Sequence, residues 1–260
     1  VARITVPRIQ ALKEQGKRIV CVTAYDAPGG ALADAAGVDL VLVGDSLGNV
    51  VLGFENTLPV TLEDMVRHTA AVARAVRDAL LIADLPFGSY QEGAAQAVRS
   101  SVALMRAGAH GVKLEGVHPE QIEALVRTGI PVMGHVGMTP QSVHAFGGFR
   151  VQGRDAGAGR VRAGARALQE LGCFSVVLEL IPMALAAEIA AELTVPTIGI
   201  GAGPLCDGQI QVFHDVLGFG EAKLKHARRF ADARGVLLAG LRDYAQAVRE
   251  GAFPAEEHAF

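Results

Sequence analysis

Short runs of β-branched and other apolar residues recur along the chain, and stretches with helical spacing of apolar positions lie between them. The runs are 18–23 (RIVCVT), 39–43 (DLVLV), 79–83 (ALLIA), 111–114 (GVKL), 131–135 (PVMGH), 174–178 (FSVVL) and 196–200 (PTIGI). Most are apolar at odd and even positions alike, as in a parallel strand buried on both faces. The amphipathic or alanine-rich segments are 62–76, 92–107, 119–127, 160–171 and 183–193. Thr61 with Asp64 supplies a cap for the helix starting at Leu62, and Pro119 suits a first helical turn. Gly108, Gly129 and Gly172 stand where left-handed C-caps are wanted before the next strand. Seven β-then-α units, with a weaker eighth strand at 211–213, predict an α/β fold of the (β/α)8 TIM-barrel type. The alternative, an open doubly wound sheet, lacks its G-x-G-x-x-G after the first run. No boundary interrupts the pattern, so residues 1–260 read as one barrel domain. A short surface helix is expected within 1–16, and a long C-terminal helical stretch, 223–249, precedes the tail GAFPAEEHAF.

Composition narrows the class. Half of the 260 residues are apolar, enough for a large core, and the net charge of −3 argues against a nucleic-acid or basic membrane surface. No apolar run reaches the roughly 18 residues of a membrane span, and the N-terminal stretch has no signal-peptide pattern. Cys21, Cys173 and Cys206 are odd in number and widely spaced, which fits a reduced, cytoplasmic protein without a disulfide framework or zinc site. The 31 glycines exceed the usual share of about 7%. Some serve as helix caps; others cluster after strands, as in GIGAG at 199–203 and GG at 147–148.

The chemistry collects at the ends of the apolar runs. Asp45 and Ser46 follow the second run, Asp84 the third and Glu115 the fourth, while His135 ends the fifth and Glu179 follows the sixth. In a barrel all of these lie at the C-terminal mouth, where active sites form. One carboxylate at a strand end is commonly structural. Four converging carboxylates repel one another and call for a cation. Oxygen-only donors favour a hard ion such as Mg²⁺ over zinc. Lys113 lies two residues before Glu115, so it faces the barrel interior just beneath it. It reads as a structural ion pair, a substrate-binding cation or a Schiff-base amine. The segment 137–159 reads as a mobile lid carrying Gly147 and Gly148, and GIGAG as a turn that lets backbone N–H groups approach a ligand.

Long motifs carry a resemblance over nearly the whole chain: TAYDAP, VGDSLGNVVLG, NTLPVTLEDMVRHTAAVARA, ADLPFGSYQ, MRAGAHGVKLEG, GHVGMTPQSVHAFGGFRVQGR, LELIP and GIGAGPLCDGQIQVFHD. In these the sequence resembles the ketopantoate (3-methyl-2-oxobutanoate) hydroxymethyltransferase family. The resemblance implies a barrel of the phosphoenolpyruvate mutase/isocitrate lyase type. It also implies Mg²⁺ and transfer of a hydroxymethyl group from 5,10-methylenetetrahydrofolate to 3-methyl-2-oxobutanoate in pantothenate synthesis. Carried over residue by residue, the metal ligands fall on Asp45, Asp84 and Glu115. Substrate contacts fall on Asp45, Ser46, Asp84 and Lys113, and the proton acceptor on Glu179. A homo-oligomer, commonly a decamer of two stacked pentamers, is implied as well. Asn49 stands where methionine is common in the family and Val117 where glycine is common; neither is a ligand position.

Two other classes share this pattern. A metal-dependent lyase or mutase acting on another 2-oxo acid would use the same acids. Those relatives that employ a catalytic cysteine need one in a mouth loop, where only Cys206 is a candidate. A barrel that binds a ligand without catalysis is the second alternative, and a turnover assay separates it.

Overall fold

The computed structural model describes residues 3–221 and 224–260. It divides into two compact units, Val1–Val212 and Phe213–Phe260. The first holds a closed barrel of eight strands in sequence order, every neighbouring pair parallel. Its elements are α1 (Val6–Glu14), β1 (Ile19–Thr23), α2 (Ala27–Ala35), β2 (Leu40–Val43), α3 (Leu47–Val50), α4 (Leu62–Ala73), β3 (Leu80–Asp84), α5 (Ala94–Arg106), β4 (Gly111–Lys113), α6 (Pro119–Arg127), β5 (Val132–Gly137), α7 (Val143–Phe146), α8 (Ala158–Glu170), β6 (Ser175–Glu179), α9 (Met183–Glu192), β7 (Thr197–Ile200) and β8 (Gly208–Gln211).

The two-residue alternation of a strand decides what fills the barrel. Ile19 and Cys21, Leu40 and Leu42, Leu80 and Ile82, Met133, Val177, Ile198 and Ile210 form one buried cluster. Two residues further along the same faces stand Asp84 after Ile82, His135 after Met133 and Glu179 after Val177. The polar site is thus the top layer of the barrel's own interior.

Several sequence expectations change. The N-terminal helix does not merely lie on the surface. Ile9 and Leu12 of α1 are buried in the central cluster and plug the N-terminal end of the barrel. The eighth strand lies at 208–211 instead of 211–213. Its glycine is required by packing, since a Cβ on Gly208 would come within 2.6 Å of the Ile19 carbonyl oxygen, and so the strand shows no apolar run. A helix after β1, α2, had no clear signal because Pro28, Gly29 and Gly30 dilute it; Asp26 caps it through Gly29 N. The segment 137–159 is not a structureless lid. It holds a 3₁₀ turn (Pro140–Ser142), α7, a second 3₁₀ turn (Asp155–Gly157) and the first residues of α8.

The expected helix caps form. Thr61 and Asp64 make a reciprocal capping box at α4, and Gly108 takes φ +109° after α5. A Cβ on Gly108 would lie 2.5 Å from that of Ala73, so no larger residue fits this contact between helices.

The second unit contains α10 (Phe213–Leu217) and α11 (Ala233–Arg249), with Asp232 capping α11 through Gly235 N. The helical stretch expected from 223 starts only at Ala233, and Lys223 lies outside the described residues. No residue of α11 is buried, and Tyr244 packs edge-on against Phe253. Among the described residues no helix is long and apolar enough to cross a membrane.

Candidate active site

Parallel pairing brings the tips of β2, β3 and β4 side by side, with Asp84 opposite Lys113 in register. Asp45, Asp84, Lys113, Glu115 and His135 are all buried, and Glu179 keeps a partly exposed side chain. The sequence-predicted residues therefore do collect at one end of the barrel.

Lys113 Nζ lies 2.6 Å from Asp84 Oδ1. Burial alone would favour a neutral amine. The surrounding charges of Asp84, Glu115 and Asp45 outweigh it and hold the ammonium above the ordinary lysine range. The other Asp84 oxygen, Oδ2, accepts from the backbone N–H of Asp45 at 3.0 Å. Burial, and after it the charge of Asp84, pushes the Asp45 carboxyl up to about 7. Burial and the charge of Asp45 likewise raise Glu115 well above the usual carboxylate range. One lysine does not balance so many acids.

His135 stands between two of them. Its Nδ1 is 3.7 Å from Glu115 Oε1 and its Nε2 is 3.3 Å from Glu179 Oε2. Burial lowers its pKa, so the ring is neutral near pH 7 and has one N–H to offer. The sequence placed His135 at a strand end and gave it no role.

Ser46 belongs to a chain of hydroxyls. Thr23 Oγ1 donates to Tyr25 Oη at 2.8 Å, and Tyr25 Oη shares a 2.8 Å hydrogen bond with Ser46 Oγ. A Cβ on Gly44 would come 2.8 Å from Ser46 Oγ, so a larger residue here would push that hydroxyl aside. Sequence reasoning missed three further residues of the site: Tyr25, Tyr90 and Gln141. Gln141, in the first 3₁₀ turn, reaches the carboxylates from the segment expected to be a lid. Its backbone N–H donates to Glu115 Oε2 at 2.9 Å and its Nε2 to Asp45 Oδ2 at 2.8 Å.

As the side chains stand, no three Asp, Glu, His or Cys among the described residues are arranged to hold a metal ion. Asp84 is drawn to Lys113 and Asp45 to Gln141. The donor chemistry nevertheless fits a hard divalent cation: carboxylates from three adjacent strand tips, buried together, where burial and mutual repulsion raise Asp45 and Glu115 above the usual carboxylate range. By contrast the three cysteines are buried, and burial pushes Cys173 up to about 12 and, with Asp207, Cys206 up to about 11. None is an activated thiolate. Cys206 also sits at the opposite end of the barrel, just before β8, its carbonyl accepting from Arg18.

The family model described as ketopantoate hydroxymethyltransferase matches residues 3–256. The 3-methyl-2-oxobutanoate hydroxymethyltransferase of Moorella thermoacetica is 52% identical over 265 residues, covering 100% of this chain and 98% of that protein. The protein of the same name from Burkholderia mallei is 50% identical over 261 residues, covering 99% and 96%. Among solved structures, phosphonopyruvate hydrolase in complex with oxalate and Mg²⁺ superposes with a TM-score of 0.65 at 14% identity, covering 97% of this chain and 92% of the other. 2,3-Dimethylmalate lyase, a member of the phosphoenolpyruvate mutase/isocitrate lyase superfamily, gives 0.62 at 18% identity, covering 100% and 93%. At such identities the structures speak to the barrel alone, whereas the sequence matches run end to end: this chain belongs to the ketopantoate hydroxymethyltransferase family.

Proposed function

We propose that this chain transfers the one-carbon unit of 5,10-methylenetetrahydrofolate to 3-methyl-2-oxobutanoate, with water supplying the hydroxyl oxygen, giving ketopantoate and releasing tetrahydrofolate. The observation that carries the chemistry is the buried acid cluster at the strand tips, with Glu179 beside it and more exposed than the rest. Asp45, Asp84 and Glu115 would hold Mg²⁺. When bound, that ion supplies positive charge near the keto oxygen, where negative charge develops as the neighbouring carbon loses its proton.

The chain's residues do the rest. Glu179 takes the C3 proton, and the neutral His135 at 3.3 Å is placed to hold its carboxylate in position. Ser46 Oγ, held by the Tyr25 hydroxyl, and Lys113 Nζ bind the substrate carboxylate and fix which face of the enolate meets the one-carbon donor. Lys113 acts as a fixed charge. Its ion pair with Asp84 keeps it protonated, which disfavours a Schiff base. We further propose that the protein works as a homo-oligomer.

The test is incubation with 3-methyl-2-oxobutanoate, Mg²⁺ and methylenetetrahydrofolate. Ketopantoate is the expected product. Without the folate, the C3 proton should still exchange with deuterated solvent in a metal-dependent way. A folded, metal-loaded protein that does neither would sink the reading.

A further inference from the structure

Gln141 is buried, and its side-chain amide and backbone N–H are all used. Its Oε1 accepts from Tyr90 Oη at 2.7 Å, and its Nε2 donates to Asp45 Oδ2 at 2.8 Å and to the Leu85 carbonyl at 2.9 Å. Its backbone N–H donates to Glu115 Oε2 at 2.9 Å. Tyr90 is itself 1% exposed, accepts from Glu115 N at 3.3 Å and packs edge-on against the His118 ring.

The directions of these bonds are specific. An amide can be turned either way round, and turned over it would aim Oε1 at the Asp45 carboxylate. The Leu85 carbonyl can only accept, which fixes the orientation in which Nε2 faces Asp45, and the Tyr90 hydroxyl, which also has the Glu115 carbonyl at 3.2 Å as an acceptor, completes it with its shorter bond to Oε1. Two carboxylates from different strands are thereby held through one oxygen each. The second oxygens, Asp45 Oδ1 and Glu115 Oε1, accept no hydrogen bond among the described residues. A network this buried is costly unless fully satisfied, and here it is satisfied while gripping two acids of the site.

We propose that Gln141, oriented by Tyr90, is a positioning residue for Asp45 and Glu115 and presents one oxygen of each to the divalent cation. The inference rests on the metal site of the proposed function and adds to it the groups that orient the ligands. Such outer contacts fix ligand direction and raise affinity without touching the ion.

Mn²⁺ alone is the probe, with free ion counted by electron paramagnetic resonance and melting followed separately in EDTA. Gln141→Met keeps the side-chain length and the backbone bond to Glu115 but removes the grip on Asp45. It should weaken Mn²⁺ binding about ten- to hundredfold. Tyr90→Phe should weaken it less. The double variant should bind no more weakly than Gln141→Met alone, because Tyr90 acts through the amide. A folded Gln141→Met that binds Mn²⁺ as tightly as the parent overturns the inference, and so does a lower melting temperature with unchanged affinity. If Gln141→Met does not fold, Tyr90→Phe decides: unchanged Mn²⁺ affinity overturns the inference and weaker binding supports it. A parent that binds no Mn²⁺ overturns the metal site itself, and this inference falls with it.

Discussion

At the floor of the barrel Lys13 Nζ donates to Asp207 Oδ2 at 2.9 Å and to the carbonyls of Ala190 and Val195. Asp207 in turn accepts from the backbone N–H and hydroxyl of Thr197. Asp34 takes the amides of Arg77, Asp78 and Ala79 at 2.8–3.0 Å as the chain enters β3. Each floor charge has a donor or acceptor aimed at it. At the mouth, on the same strands, Asp45, Asp84 and Glu115 are buried against one another with Lys113 as the cation among them. The floor spends its charges on tying α1 and the loops to the strands. The mouth holds a surplus of negative charge that only something from outside the chain can balance. Where buried charge is satisfied it reads as architecture; where it is crowded and unbalanced it reads as chemistry.

The largest expected effect breaks the mouth while leaving the floor alone. Glu179→Gln should lower the rate of C3 proton exchange by about 10²–10⁴-fold, the usual worth of a general base. Mn²⁺ affinity and melting temperature should stay near the parent's, because Glu179 is outside the proposed ligand set. Parent-like exchange in this variant would remove Glu179 as the base. Asp84→Asn should instead weaken metal binding itself; unchanged affinity there would mean the ligand set is wrong.

The converse substitution sharpens the other side. Lys13→Met leaves Asp207 without its cation and two carbonyls without a donor in a half-buried setting. Loss of hydrogen bonds to a charged group costs about 1–3 kcal/mol. That corresponds to a melting temperature lower by roughly 2–4 °C per kcal/mol in a chain of this size. Turnover per folded molecule should not change. A Lys13→Met protein as stable as the parent would show that the floor network is ornament.

The two ends also differ in how legible they were from sequence. Strand-end acids could be found because each follows directly on an apolar run, and a barrel sends all such positions to one mouth. Gln141 and Tyr90 could not be found that way. They lie in connecting segments without periodicity, and their partners are 25 to 96 residues away. The barrel was legible because strands buried on both faces read as unbroken apolar runs. The eighth strand was misplaced because Gly208 is dictated by the Ile19 backbone and by no pattern of its own. The plugging role of α1 was hidden because only Ile9 and Leu12 of its nine residues are buried.

The smallest effect, and the one that most directly contrasts the two ends, is on pH dependence without metal. Asp45 has its folded pKa raised to about 7, by burial first and then by Asp84. A carboxyl raised on folding contributes stability that is complete below its unfolded value, near 4, and is lost as pH rises through about 7. Asp34 behaves in the opposite sense. Burial opposes its charge, but the three amide donors and Arg3 outweigh it and lower its pKa. Its contribution is present above the unfolded value and lost as pH falls through the folded one. In EDTA, therefore, the mouth should make the melting temperature fall between about pH 4, the unfolded value, and about pH 7, the folded value for Asp45, and level off above it. Asp45→Asn should flatten that fall and raise the melting temperature at the alkaline end, since the amide keeps an oxygen for Gln141 Nε2 and carries no charge. Asp34→Ala should instead lower stability at neutral pH and flatten only the acid limb, below about pH 4. If Asp45→Asn leaves the slope between about pH 4 and about pH 7 intact, the crowding of charge at the mouth is relieved by some other group, and the contrast between the two ends loses its electrostatic basis.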